Sequence, residues 1–160
     1  MYFWNTNKLI DDLKNERLAD KDYKNYYLIS ASVTFLMMFA IRFSPVVDIV
    51  PSTINTVITI LMLIIAVNFC FTANGGGHGK QFLNRLICIS LPITIKIFLV
   101  YFLLFVFIVI ILVFSMRFID ISQTQKIFSP YQGWISLVTS ILVQAIMYWR
   151  FYVAFKKINN

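Results

Sequence analysis

Apolar residues dominate four runs of the chain, and proline, glycine or charged residues separate each run from the next. A helix needs about 20 mainly apolar residues to cross the hydrocarbon core of a bilayer. Because a helix satisfies its own backbone hydrogen bonds in lipid, runs of this length predict membrane-spanning helices. The pattern therefore predicts an all-α integral membrane protein, a four-transmembrane-helix bundle with spans at about residues 26–42, 53–73, 97–116 and 130–152 of a single membrane domain, 1–160.

The ends of these spans carry helix start and stop signals. Pro45 and Pro51 stand close together between the first two runs, which predicts a helix break and a tight loop. Ser129 followed by Pro130 is typical of a helix start, with a capping side chain and then proline in the first turn. The run 97–116 contains no charged residue before its end, so we predict that it is the most lipid-exposed helix.

The first 25 residues form a polar arm ahead of the first span. Within this arm, Leu9, Ile10 and Leu13 recur at helical spacing among charged residues, which predicts a short N-terminal amphipathic helix. Five basic and five acidic side chains balance each other in residues 1–24, so strong attraction to anionic lipid is not expected. Two interpretations are open, a solvated helical arm and an anchor at the membrane surface.

Residues 74–96 separate the second run from the third and contain four of the chain's five glycines. Glycine costs about 1 kcal/mol relative to alanine within a helix, so the helix is predicted to break here. After the glycines, Gln81, Arg85 and Cys88 recur on one helical face. This spacing predicts a short interfacial helix on the membrane surface, which Pro92 ends or kinks before the third span.

Lys96 has two interpretations. If Pro92 separates the interfacial helix from the span, Lys96 is an anchor at the membrane surface. If the span instead began at Leu86, the ammonium group would lie about 15 Å deep. A charge at that depth costs at least about 2.5 kcal/mol and would require a functional partner.

The glycine segment is also the main candidate for binding chemistry. Backbone N–H groups that glycine exposes at a helix start, with basic side chains nearby, can hold a phosphate or a lipid head group. A flexible hinge is the other interpretation. The run does not match a phosphate-binding P-loop, because Gln81 follows Lys80 where serine or threonine is needed. The candidate residues for either role are Gly75, Gly76, Gly77, His78, Gly79, Lys80, Arg85 and Lys96.

Polar and small residues recur on one face of the second and fourth spans. In a membrane such residues face other helices, where they allow close packing and hydrogen bonding. In an oligomer the same groups could line a pore. The candidates for helix packing or pore lining are Asn55, Thr59, Gly133, Ser136, Ser140 and Gln144.

The bulk composition agrees with a membrane protein. Hydrophobic residues make up 59% of the chain, charged residues 13%, and the mean hydropathy is +0.77, whereas soluble domains carry about 25% charged residues. The net charge of +7 would suggest nucleic-acid binding in a soluble protein. Here the basic residues flank apolar runs, where they set orientation and contact lipid head groups. We therefore expect membrane lipids as partners and no nucleic acid.

The basic residues are distributed unequally between the two sides. Eleven of them lie in the N-terminal arm, the glycine segment and the C-terminal tail, and three lie in the other two loops. The excess of basic residues on one side predicts that both termini and the glycine segment are cytoplasmic. The abundance of Ile, Lys, Phe and Asn is typical of an AT-rich bacterial gene, so we expect a multi-pass protein of the bacterial inner membrane.

Residues with recognisable catalytic or metal-binding spacing are lacking. The chain has no GxSxG, HExxH or paired-aspartate motif. His78 is the only histidine, and its spacing from Cys70 and Cys88 matches no zinc pattern. The expected protein is therefore not an enzyme and has no metal site, no catalytic residues and no cofactor.

In size, in its four predicted spans and in its lack of catalytic motifs, the chain is similar to the larger immunity proteins against pore-forming bacteriocins. It is similar in the same respects to small membrane subunits of prokaryotic phage-defence or secretion systems. The resemblance implies a component of a defence, immunity or secretion system. We expect a non-catalytic homo-oligomer that engages a cytoplasmic or membrane protein partner, or lipid, at its cytoplasmic face. The alternative is a small oligomeric channel or transporter.

Overall fold

The computed structural model describes residues 2–41, 48–115 and 129–159. Within these ranges every regular element is helical, which confirms an all-α chain. Short 3₁₀ turns occupy Gly76–His78 and Ser129–Tyr131. The α-helices are α1 (Thr6–Lys14), α2 (Asp20–Ile41), α3 (Ile49–Ala73), α4 (Phe82–Ser115) and α5 (Gln132–Asn159).

Three helical stretches among the described residues are long and apolar enough to cross a membrane, namely Ile49–Ala73, Phe82–Ile111 and Ser129–Asn159. This confirms a membrane protein with transmembrane helices. Helix α2 is not one of the three, so the predicted count of four spans is not confirmed. The predicted end of the first span at Arg42, the loop at Pro45 and the loop at 117–128 lie outside the described residues.

All four long helices extend beyond the predicted spans at one or both ends, and α2 begins at Asp20 instead of near residue 26. Helix α3 begins at Ile49 and includes Pro51 in its first turn, where the missing N–H of proline would have had no partner within the helix. Helix α5 continues to Asn159 and carries Lys156 and Lys157 in its last turn. Cations at this end of a helix interact favourably with the helix dipole.

Helix α4 runs through Pro92 without a break. In place of the predicted interfacial helix and a separate third span, the structure therefore has one long helix. Pro92 itself is buried, as are Leu91 and Ile93 on either side of it. Proline removes one backbone hydrogen bond from the helix, and packing on both sides of it offsets that loss. Such packing is a tertiary contribution, which local sequence signals do not include.

The well-packed core lies at one end of the bundle. Its buried apolar residues include Leu9 and Leu13 of α1, Tyr26 of α2, Ile89 of α4 and Phe155 of α5. Beyond this end, the side chains of α4 between Phe98 and Ile111 are exposed. This agrees with the prediction that the long uncharged run faces lipid, because such a surface is stable only in an apolar solvent.

Helix α1 packs its apolar face against protein. Leu9 is 0% exposed and Leu13 is 1% exposed, and the helix contacts both α4 and α5. Upstream of it, the backbone N–H of Tyr2 donates a hydrogen bond to the Tyr26 hydroxyl at 2.6 Å. The arm is thus folded back onto the bundle, in contrast to a solvated extension.

Candidate functional site

An open cavity of about 910 Å³ lies where the N-terminal segment meets α4 and α5. This volume is within the range of about 300–1,000 Å³ that is common for small-molecule sites. Its polar rim comes from the start of α1 and from three basic side chains on the longer helices. The rim residues are Asn5, Thr6, Asn7, Lys96, Arg150 and Lys157.

Among the described residues, no carboxylate lines this rim beside its three cations. Lys96 is half-buried and its Nζ donates a hydrogen bond to Thr6 Oγ1 at 2.6 Å. Arg150 and Lys157 are exposed and lie two turns apart on one face of α5. The cavity lining contains no Asp or Glu, and the ion pairs among the described residues belong to Arg17 and Lys80. The cavity therefore carries uncompensated positive charge.

Below the cations the lining is apolar. Val100 and Leu104 follow Lys96 at helical spacing on α4, and Ile146 and Val143 precede Arg150 on α5. At 1.5 Å per residue, Leu104 lies about 12 Å along the helix from Lys96. One end of the cavity is thus suited to an anion and the other to a hydrocarbon group.

Sequence reasoning identified only one of these cations. Lys96 is a sequence candidate for anion or lipid binding or a hinge, either as a surface anchor or as a buried charge with a partner, whereas Arg150 and Lys157 enter only through the count of basic residues in the tail. The available signal was their seven-residue spacing, which places both on one helical face in line with Ile146. Their meeting with Lys96 depends on how α4 and α5 pack, which is a tertiary feature.

The glycines of residues 75–79 form a compact turn. Gly75 follows the end of α3 with a φ of +97°, the left-handed conformation with which many helices end. The N–H groups of Gly75, His78 and Gly79 donate to carbonyls of Thr72, Gly75 and Gly76 at 3.0 to 3.2 Å. These three N–H groups are therefore engaged within the turn and are not available to an anion.

Asn74 connects this turn to α4. Its side chain is 0% exposed, and its Nδ2 donates to the carbonyl of Lys80 at 3.3 Å. Its Oδ1 accepts a hydrogen bond from Arg85 Nη1 at 2.9 Å. Because a buried amide needs such partners, this pair of contacts joins the two ends of the glycine turn.

Arg85 consequently points into the protein. It is 8% exposed, and Cys88 on the same helical face is 0% exposed, whereas Leu83 is 67% exposed. Of the polar stripe predicted to face lipid head groups, Arg85 and Cys88 are therefore turned toward protein, whereas Gln81 is exposed just before the helix. Tyr23 of α2 lies near this cation, and burial raises the pKa of the Tyr23 phenol while the charge of Arg85 opposes the shift.

The other candidates of the glycine segment are solvent-accessible. His78 and Lys80 are exposed, and Lys80 Nζ lies 3.1 Å from Glu16 Oε1 in an ion pair that is exposed on both sides. Such pairs contribute about 0–1 kcal/mol. The structure therefore does not gather His78, Lys80, Arg85 and Lys96 into one site.

The polar candidates of the spans meet at the contact between α3 and α5. Gln144 Nε2 donates to Thr59 Oγ1 at 2.9 Å and to Ser140 Oγ at 3.1 Å. Further along, Gly133 packs against Pro51, whose Cγ would lie 3.0 Å from an added Cβ. Ser136 is exposed. Three of the six candidates, Thr59, Gly133 and Gln144, thus contribute to pairing these two helices, and Ser140 bonds to Gln144 within α5.

Thr59→Val is expected to weaken this pairing by about 0.6 kcal/mol, and by no more than about 1.7 kcal/mol, the range of interhelical hydrogen bonds in membranes. Valine keeps the shape of threonine and removes the acceptor of Gln144. Thr56→Val is the matched control, because the Thr56 hydroxyl donates to the Ser52 carbonyl of its own helix at 3.0 Å and has no partner on another helix among the described residues. Thermal unfolding in detergent should lower the midpoint for Thr59→Val alone, and equal midpoints would contradict the prediction.

Acceptor oxygens remain unpaired at the same contact. Asn55 Oδ1 and Gln144 Oε1 are buried and have no hydrogen-bond donor among the described residues. The described residues also contain no group of three or more His, Cys, Asp or Glu side chains that could hold a metal ion. Comparison of the chain with protein-family models, with curated proteins and with solved structures returns no match.

Proposed function

We propose that the protein is a non-catalytic component of the bacterial inner membrane that binds an anionic partner or lipid at its cytoplasmic face. The observation that carries this proposal is the cavity lined by Lys96, Arg150 and Lys157 without a carboxylate. Lys96 is half-buried, and a charge removed from water is costly unless a counter-charge is close. Arg150 and Lys157 are exposed and add positive charge at the same rim, so the site favours an anionic occupant.

The ends of the bundle support a fourth span. Helix α1 contacts α5, and Gly75 lies near Asn159 at the C-terminal end of that helix. The start of α3 lies at the other end, where Pro51 meets Gly133. A fourth crossing of the membrane between α1 and α3 would connect these two ends. Helix α2, with 22 residues, is about 33 Å long, which is enough to cross the hydrocarbon core of a bilayer.

With four spans, both termini and the glycine turn lie on the same side. The excess of basic residues on that side supports a cytoplasmic location. The cation-lined cavity would then face the inner leaflet, whose anionic lipids attract basic residues. We further propose that several copies assemble through their apolar helix faces. The assembly would belong to a defence, immunity or secretion system.

The experiment is thermal unfolding of the purified chain in a neutral detergent. Inorganic phosphate, an acidic peptide, a short-chain anionic phospholipid and a zwitterionic phospholipid are each added in turn. A ligand that binds only the folded state, at 100 times its Kd, stabilises that state by about 2.7 kcal/mol. We expect at least one of the anionic compounds to raise the midpoint.

The matched variants test whether the cavity is responsible. Arg150→Gln combined with Lys157→Gln removes two exposed cations of the rim, and Lys21→Gln combined with Lys24→Gln removes two exposed cations of α2 outside the cavity. The first pair of substitutions should abolish most of the rise in the unfolding midpoint. The second pair should leave that rise unchanged. A midpoint that no anionic compound raises would overturn the proposal.

A channel or transporter is the second candidate function. The unpaired oxygens Asn55 Oδ1 and Gln144 Oε1 favour it, because buried acceptors of this kind can be satisfied by water or by a permeating cation. Purified protein in liposomes should then show flux of water or ions, and Gln144→Leu should alter it. The absence of flux at any voltage would remove this candidate.

A further inference from the structure

We infer that the occupant of the cavity is an anionic phospholipid, with its phosphate between Lys96, Arg150 and Lys157 and an acyl chain along the groove between α4 and α5. This inference rests on the proposed binding of an anion at this face and names the class of ligand. It follows from the shape, the charge and the lateral opening of the cavity.

The shape of the cavity matches an amphiphile. The cations lie at one end, and the apolar lining continues past them along both helices to Leu104 and Val143. A soluble anion would use only the rim and would leave about 12 Å of apolar wall without contact. A phospholipid uses both zones, because its phosphate can lie at the cations while its acyl chain lies along the apolar wall.

The cavity opens sideways to the surface that faces lipid. Val100 and Leu104 are each 56% exposed and Ile146 is 55% exposed, and they lie on the spans α4 and α5. An acyl chain can enter from the bilayer without desolvating any polar group. An acidic peptide would have to place polar backbone groups against this apolar wall, where each unsatisfied group costs several kcal/mol.

The rim discriminates by charge. Arg150 can bind a phosphate with two parallel hydrogen bonds, and Lys96 and Lys157 add point charges. Thr6 and Asn7 start α1, whose N-terminal end carries partial positive charge. The positively charged ammonium group of a zwitterionic lipid would lie close to these cations and be repelled by them. The site should therefore select against such lipids.

Quenching of tryptophan fluorescence by brominated acyl chains tests this inference. Trp4→Phe, Trp134→Phe and Trp149→Phe remove the native tryptophans, and Leu104→Trp places a reporter at the apolar end of the cavity. The protein is reconstituted in phosphatidylcholine, and brominated phosphatidylglycerol or brominated phosphatidylcholine is added. We expect an association constant at least about fivefold higher for the anionic lipid, the effect of one basic residue near an anionic surface.

A second reporter provides the control. A chain that keeps only Trp149, which is exposed and does not line the cavity, should be quenched equally by both lipids. Adding Arg150→Gln and Lys157→Gln to the Leu104→Trp reporter should reduce its selectivity to about one. Native mass spectrometry of the unsubstituted chain in an equal mixture of the two lipids gives the same comparison without any substitution, and it should show retained phosphatidylglycerol.

Equal quenching by the two lipids at Leu104→Trp, with no excess of retained phosphatidylglycerol, would overturn the inference. If inorganic phosphate or the acidic peptide still raised the unfolding midpoint, the occupant would be a soluble anion or an acidic protein segment, and the proposed function would stand. If no anionic compound raised it, the inference and the proposed function would both be wrong.

Discussion

Gly79→Ala is expected to lower the free energy of unfolding by about 3 kcal/mol, the upper part of the range for overpacking a filled site. A Cβ at this position would overlap the carbonyl oxygen of Asn74 and lie 2.6 Å from its Nδ2. Asn74 cannot move aside cheaply, because it is fully buried and hydrogen-bonded to Lys80 and Arg85. Denaturant or thermal unfolding in detergent measures the loss.

Gly77→Ala is the matched control for this substitution. Gly77 lies in the same turn, but no atom lies within 4 Å of a Cβ added there and its φ is not positive. The change should stay within about 0.5 kcal/mol. Similar stabilities for Gly79→Ala and Gly77→Ala would mean that the turn is a loose hinge, the interpretation that the glycine-rich sequence by itself favours.

The helical class could be predicted because it depends on local properties of the chain. Apolar runs such as 97–116 require a helix in lipid whatever their neighbours are. The break at Gly75 could be predicted for the same reason, since the left-handed end of a helix favours glycine. These features need no knowledge of which helices touch.

The path of α4 could not be predicted from local signals. Pro92 is a helix breaker by its covalent structure, yet it lies inside a continuous helix. Leu91 and Ile93 are buried on either side of it, and α4 packs against α2 and α5, which are distant in sequence. The same holds for Arg85, whose polar partner Asn74 comes from the preceding helix end.

The cation-lined cavity was missed for a related reason. Lys96 and Arg150 are separated by more than fifty residues, and only the packing of α1, α4 and α5 brings them to one rim. Spacing within one helix could have paired Arg150 with Lys157. It could not have placed Thr6 within hydrogen-bond distance of Lys96.

Asn74→Ala is the second substitution with a large expected effect, about 3 kcal/mol of lost stability. It removes the acceptor of Arg85 and the donor to the Lys80 carbonyl. Leaving a buried polar group unpaired costs about 1–3 kcal/mol, and more when that group is charged. Asn84→Ala is the control, because Asn84 is exposed on α4 and alanine favours a helix. The unfolding midpoint of Asn74→Ala should be clearly lower than that of Asn84→Ala.

Asn74→Ala can lose stability because Arg85 is left unpaired or because side-chain packing is lost. Adding Arg85→Met to Asn74→Ala separates these two contributions. If the unpaired guanidinium of Arg85 accounts for most of the destabilisation, the double variant should be more stable than Asn74→Ala alone, because replacing both partners of a buried polar pair by apolar groups can be nearly neutral. If the two losses simply add, the sites are independent. Additive losses would mean that Arg85 is solvated in spite of its low exposure, and that the contact with Asn74 does not hold the glycine turn against α4.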